Sequence, residues 1–424
     1  MAWGDCSVTL QVFFGLLGGL LVLAFVANRL AQRTRVPDAV VLILTGMLLG
    51  PVFGLVHAAQ FENVTRGFGT LALILILFEG GLELDVRETL RHLGGGLMLS
   101  WSAYVITVTL VAGVARWSML ISWHGSLLVG AVLGCVSSTI MLPVLQQIPL
   151  RKPVKLTLLM ESAIGDVLAV LTVGVLLNLS WTQGSLVKGL IGGFVFEVGV
   201  SVVFGVVAGI LWSRLMPLLF EQRFWQALSF AAVLLLYAGT SAVKASGLLA
   251  VLVFGIVLAN LPQVRKQLPT AGMGIDLPEE GFHHQILSFH SELAFLIRTF
   301  FFVMIGAVVQ FSGLRLNAIP ILGFAAAILL ARWVAVNLSR WTWKDISSRE
   351  RELIVLLLPR GLITAVLAIQ VIEEHGSEFG FLRDVAFAVI LFTNLLVVLG
   401  SVRARRPGAT AASAQQVFPQ VVGE

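Results

Sequence analysis

Thirteen apolar runs, most of about 20 residues, follow one another along the chain and fix what it can fold into. They lie near 8–27, 37–56, 67–83, 92–115, 124–146, 154–180, 186–212, 224–243, 246–262, 288–311, 316–338, 352–372 and 384–402. At about 1.5 Å rise per residue, each is long enough to cross the hydrocarbon core of a bilayer as a helix. Only 12% of the 424 residues are charged, against about 25% in an ordinary soluble domain. The expected fold class is all-α: a polytopic membrane protein with 13 transmembrane helices, solvated by a lipid bilayer. The first run does not read as a cleaved signal peptide, because its basic residues, Arg29, Arg33 and Arg35, come after it.

The positive charges alternate with the runs. Of the 28 Lys and Arg residues, nineteen follow odd-numbered runs and six follow even-numbered ones; Arg298, Arg332 and Arg360 lie within runs. Positive charge accumulates on the cytoplasmic side. The N-terminus is therefore expected outside and the C-terminus in the cytoplasm, in a plasma (bacterial inner) membrane. The net charge of +5 is accounted for by these loops and gives no nucleic-acid signal. Cys6 and Cys135 form neither a disulfide framework nor a metal pattern. Residues 263–287 form the longest loop, and the Ala/Gly/Gln/Pro tail from 407 reads as disordered. Gly46, Gly50 and Gly54, Gly130 and Gly134, and Gly205 and Gly209 have the small-xxx-small spacing of closely packed helices, read here as packing within one bundle.

A weak internal symmetry points to the functional centre. Run 5 contains "SSTIMLP" (137–143) and run 12 contains "LLLPRGLIT" (356–364). Each puts a proline beside residues that compete with helical hydrogen bonding, near the middle of a span. Seven runs apart, they fit two inverted six-helix repeats around a linker helix, run 7, with interrupted helices in runs 5 and 12. Paired interruptions of this kind mark a transporter's central site.

Charges inside a span are costly and are functional candidates by default. Asp166 and Ser162, four residues apart in "ESAIGD" (161–166), point the same way on a helix and offer hard oxygen ligands suited to an alkali cation. A neutral Asp166 hydrogen-bonded to a neighbouring helix is the structural alternative. Glu161 lies roughly 140° round the helix from Asp166, and Arg360 in the run 12 interruption is its expected partner in a buried ion pair. Glu79 is either a solvated helix-end carboxylate or a site residue. Arg298, a possible accessory charge, and Arg332 either snorkel to the boundary or are buried. His283, His284 and His290 match no metal spacing and read as solvated. No nucleotide loop, nucleophile triad or zinc pattern appears, and no cofactor is expected.

These residues sit in motifs that resemble the NhaP-type branch of the cation:proton antiporter superfamily, which includes the Na+/H+ exchangers: "LFEGGLEL" (77–84), "SSTIMLPVL" (137–145), "ESAIGD" (161–166), "RTFFFVMIGA" (298–307) and "LPRGLITAVLAI" (358–369). The resemblance spans essentially all thirteen runs. It implies a homodimer and a secondary antiporter rather than an enzyme, with crossed, unwound helices in the core. It implies dimerisation helices in 1–83 and 224–311, core helices in 92–180 and 316–402, a linker helix at 186–212 and a cytoplasmic tail at 403–424. The implied ion and proton site, which would hold Na+, comprises Asp166, Ser162, Thr139 and Glu79; Glu161 and Arg360 match the family's buried ion pair. Two positions depart from the family pattern: Thr139 is followed by Ile140 and Met141 rather than Asp-Pro, and Gly165 precedes Asp166 where Asn or Asp is common.

The expected activity is electroneutral exchange of Na+ (or Li+) for H+ by alternating access, serving pH homeostasis, with cation and proton competing for Asp166. A K+/H+ antiporter of the same fold is the alternative, followed by a cation channel or a non-transporting sensor.

Overall fold

The computed structural model describes residues 15, 18–27, 29, 38–54, 58–83, 86–178, 186–219, 224–260, 279–308, 313, 315, 317–339 and 347–404. Cys6, Arg33, Arg35, Asp85, most of the 263–287 loop and the tail from 407 lie outside the described residues, as do the side chains of Glu83, His283 and His284.

The elements are α1 (Gly18–Ala27), α2 (Asp38–Met47, continued by a wider turn over Leu48–Val52), α3 (Ala58–Glu83), α4 (Val86–Ser118), α5 (Trp123–Gly134), α6 (Ser138–Gln147), α7 (Lys152–Asn178) and α8 (Leu186–Leu219). They continue with α9 (Trp225–Ala242), α10 (Gly247–Ala259), α11 (Glu279–Val308), α12 (Ala318–Leu338), α13 (Ser348–Leu356), α14 (Leu362–His375) and α15 (Phe381–Arg403). Among the described residues, 8 helices or interrupted helices are long and apolar enough to cross a membrane.

The contacts sort these elements into two groups. α4, α5, α6, α7, α12, α13, α14 and α15 pack on one another, while α2, α3, α8, α9, α10 and α11 form a second set. The groups meet where α3 touches α6 and α14, where α11 touches α14 and where α7 touches α8 and α10. Glycines bring the helices of each group close. A Cβ on Gly46 would strike the Val303 carbonyl, and one on Gly306 the Ile43 carbonyl, so α2 and α11 touch backbone to backbone. Gly50 meets Ala307, Gly130 meets Val108, Gly134 meets Tyr104, Gly205 meets Ala250 and Gly209 meets Val257, all within one chain. α8 shows the opposite surface: Val195, Phe196, Val203, Val207 and Leu211 are exposed along it, as expected of side chains solvated by hydrocarbon.

Two helices break in mid-course. Between α5 and α6, residues 135–137 run extended, with Cys135 at φ −82°, ψ 151° and Ser137 at φ −72°, ψ 119°. Between α13 and α14, residues 357–361 leave the helix. Pro359 lacks an N–H and disfavours helical geometry in the residue before it. The breaks cross: the Ser137 N–H donates to the Pro359 carbonyl at 2.8 Å. A Cβ on Gly361 would strike the Ser137 hydroxyl, so only glycine lets the strands approach this closely.

Candidate functional site

A broken helix leaves free carbonyls at the end of its first half and free N–H groups at the start of its second half. In hydrocarbon these groups need partners from within the protein, and the charged side chains supply them. α5 ends at Gly134, and the Cys135 carbonyl just beyond accepts from the Arg360 guanidinium. Arg360 stands in the other break. Its own N–H donates to Thr393 Oγ1 at 3.0 Å and its carbonyl accepts from Asn394 Nδ2 at 2.8 Å, which ties the break to α15. α13 ends in the same way against Arg332 of α12. There Nε donates to the Ile354 carbonyl at 3.1 Å and Nη2 to the Leu357 carbonyl at 3.0 Å. A guanidinium at each C-terminal half-helix end offsets the negative end of that helix dipole.

Asp166 takes the complementary place. It is buried on α7, and its Oδ2 accepts from the Ser138 N–H at 3.2 Å and the Ser138 hydroxyl at 2.6 Å. Ser138 opens α6, so the carboxylate lies at the positive end of the second half-helix. Its Oδ1 is buried and accepts no N–H or O–H among the described residues. Asp166 is also within Coulombic reach of Arg360. One oxygen is thus held by the helix end, while the other accepts no N–H or O–H among the described residues.

The Glu161–Arg360 pair read from the sequence is corrected here. Glu161 is paired with Arg332, not Arg360: Arg332 Nη1 donates to Glu161 Oε1, with the two side chains 3% and 2% exposed. Arg360 is drawn instead to the free Cys135 carbonyl, although Glu161 remains within its Coulombic reach. Helical phase says which way Glu161 points, but cannot choose between two arginines on different helices. A small cavity of about 10 Å³, roughly the room one water needs, lies between Glu161, Gly165, Arg332, Arg360 and Tyr104. A Cβ on Gly165 would make only ordinary contacts, 3.7 Å from the Val136 nitrogen and 3.9 Å from Cys135 Cα.

The other site candidates stand at varying remove. Ser162 is buried beside Asp166 in sequence, but its hydroxyl donates back to the Leu159 carbonyl at 2.8 Å. Thr139 shares a hydrogen bond with the Ser137 hydroxyl at 2.9 Å, in the break itself. Glu79 is half-buried on α3, and its Oε1 accepts from the Ser291 hydroxyl of α11 at 2.6 Å. Arg298 is half-buried on α11. His290 departs from the solvated reading: it is fully buried, edge-on to Phe78 with ring centroids 4.8 Å apart. Among the described residues no group of three or more His, Cys, Asp and Glu side chains could hold a metal ion. Ser138 carries no distinguishing mark in the sequence beyond following the break, and Arg332 stands out only as a charge within run 11, with nothing there to prefer it over Arg360 as the partner of Glu161.

Residues 20–404 match the family model described as "Sodium/hydrogen exchanger, transmembrane". The chain belongs to the sodium/hydrogen exchanger family. Among its family relatives, it is 26% identical over 392 residues to "K(+)/H(+) antiporter NhaP2" of Shewanella sp. (strain ANA-3), covering 90% of this chain and 65% of that one. It is 27% identical over 390 residues to "K(+)/H(+) antiporter NhaP" of Alkalimonas amylolytica, covering 88% of this chain and 63% of that one. It therefore spans slightly under two thirds of the length of those exchangers. Over 409 residues it is 26% identical to "Na(+)/H(+) antiporter 1" of Methanocaldococcus jannaschii, covering 92% of each chain. The fold is that of the sodium proton antiporter MjNhaP1 from the same organism at pH 8: TM-score 0.74, 23% identity, 93% of this chain and 96% of that one.

Proposed function

We propose that this exchanger-family protein is a secondary active monovalent cation:proton antiporter in which cation and proton compete for Asp166. The observation that carries the reading is the position of that carboxylate. It lies where two interrupted helices cross, with one oxygen fixed by Ser138 at a helix N-terminus and the other accepting no N–H or O–H among the described residues. A carboxylate that must be neutralised before it crosses hydrocarbon carries either a proton or a cation. Ser138, Thr139 and the carbonyls of the 135–137 break supply further oxygens close by, and Ser162 could join them by turning its hydroxyl. Glu79 would enter only after movement of α3 towards the break.

Arg332 and Arg360 hold the break open. They bond the free carbonyls, with Arg332 also on Glu161, and neither guanidinium bonds Asp166. With Gly165 beside it rather than a second acid, one charge is exchanged for one, so transport is electroneutral. The contact pattern supports a core of α4 to α7 and α12 to α15 that moves against α2, α3 and α9 to α11, with α8 as the linker. In this reading the chain crosses the bacterial inner membrane 13 times as two inverted repeats, with the N-terminus outside, and works as a homodimer. A cavity of about 220 Å³ between α3, α9, α10 and α14, with Thr70, Gln370 and the exposed Glu373 and Glu374 in its wall, lies on the boundary between the two groups and offers an approach for cations.

Na+ (or Li+) is the favoured ion. K+ is the second reading, favoured by the names of the K+/H+ antiporters that the chain resembles. Proton flux in proteoliposomes driven by Na+, Li+ and K+ gradients in turn tests both. Asp166→Asn should abolish it for every ion.

A further inference from the structure

Among the described candidate spans, that of α8, Val195–Met216, has the smallest buried share, 22% of its most apolar stretch, yet the span carries a carboxylate, Glu197. Glu197 is turned inward and 9% exposed, lying against α7. The contact is built for it. A Cβ on Gly174 of α7 would fall 2.9 Å from Glu197 Oε1, so glycine makes the room the carboxyl occupies. Gly174 lies eight residues, about two turns, beyond Asp166 on the same helix.

Among the described residues, no cation pairs with Glu197. The helices packed on α8 are α7, α9 and α10. α9 and α10 carry no Asp, Glu, Lys, Arg or His. On α7, Lys152 and Lys155 lie at the far end, Glu161 is engaged by Arg332, and Asp166 is held by Ser138. Glu197 forms no ion pair among the described residues. An ionised carboxylate in such a dry contact costs several kcal/mol, and a proton removes that cost.

We infer that Glu197 is a pH-responsive residue outside the exchange site, holding a proton while it is packed on Gly174 and losing it to water at alkaline pH when α7 moves along α8 and uncovers it, so that it tunes the rate without adding to the protons exchanged at Asp166. This rests on the antiporter reading of Asp166, but the two can fail separately. The test is infrared difference spectroscopy of the purified protein in lipid at neutral pH. Wild type minus Glu197→Gln should show the carbonyl stretch of a protonated carboxylic acid, unchanged by added Na+, and Gly174→Ala should shift that band. In flux assays Glu197→Gln should retain exchange but lose the alkaline limb of its pH dependence, which Glu197→Asp should keep. Absence of the band, no shift in Gly174→Ala, or an unchanged alkaline limb in the Gln variant would each overturn the assignment. Failure of Asp166 as the exchange site would instead appear as flux surviving in Asp166→Asn, with the Glu197 band still present.

Discussion

Replacing Arg332 by Met tests how the crossed helices are held. The substitution keeps most of the side-chain volume but strands Glu161, 2% exposed, without its counter-charge, and leaves the Ile354 and Leu357 carbonyls unbonded at the end of α13. Removing one partner of a buried ion pair costs about 3–5 kcal/mol, and each lost hydrogen bond to a charged group about 1.5–3 kcal/mol. The effects share one relaxation and do not add, so a total of about 4–6 kcal/mol is expected. Equilibrium unfolding in mixed micelles measures it. Removing both charges, as Glu161→Leu with Arg332→Met, should recover about 2–3 kcal/mol, since an apolar pair often substitutes for a buried ionic one. The Glu161–Arg360 cycle should show less than half of that coupling. A larger coupling to Arg360 than to Arg332, or strict additivity of the Glu161 and Arg332 variants, would refute the pairing.

Three other outcomes follow. Ser138→Ala removes the hydroxyl that donates to ionised Asp166; the pH of half-maximal exchange should rise by about one unit, read from flux against pH. Gly46→Ala drives a methyl into the α11 backbone and should cost about 1–3 kcal/mol in the same unfolding assay, whereas Gly67→Ala, which meets nothing within 4 Å, should be near neutral. Glu350 lies ahead of the run 12 apolar stretch. Partial burial raises its carboxyl, but the hydrogen bonds from Arg151 and the Ser347 N–H outweigh this and hold it below the usual range. Its contribution is therefore present above the unfolded carboxylate range and lost as pH falls through the lowered folded value; Glu350→Gln should cost under about 1 kcal/mol at neutral pH and nothing in acid.

Hydrocarbon leaves a chain few choices, so the helices could be read from the apolar runs. The interruptions were legible for a similar reason. Pro359 and the Ser137–Thr139 cluster break the helical pattern locally, and the structure breaks at 135–137 and 357–361. The first break falls ahead of Pro143, which α6 accommodates in its interior. Asp166 stood out because a lone carboxylate in a span has few structural excuses. What the sequence hides is which neighbour each charge meets. Arg332 and Arg360 are equivalent until α12 and the break are placed in space, and His290 looks solvated until Phe78 is laid against it. Ser138 and Thr139 are adjacent hydroxyls; only the break's geometry decides that Ser138 faces Asp166.

The central claim is that Asp166 alone exchanges a proton for a monovalent cation. The most direct measurement is Na+-driven proton flux in proteoliposomes, for wild type and Asp166→Asn, with the membrane potential clamped at several values. Flux in wild type that ignores the potential and vanishes in the variant is the expected result. Flux that persists in Asp166→Asn would contradict the site, and flux that follows the potential would contradict one-for-one exchange.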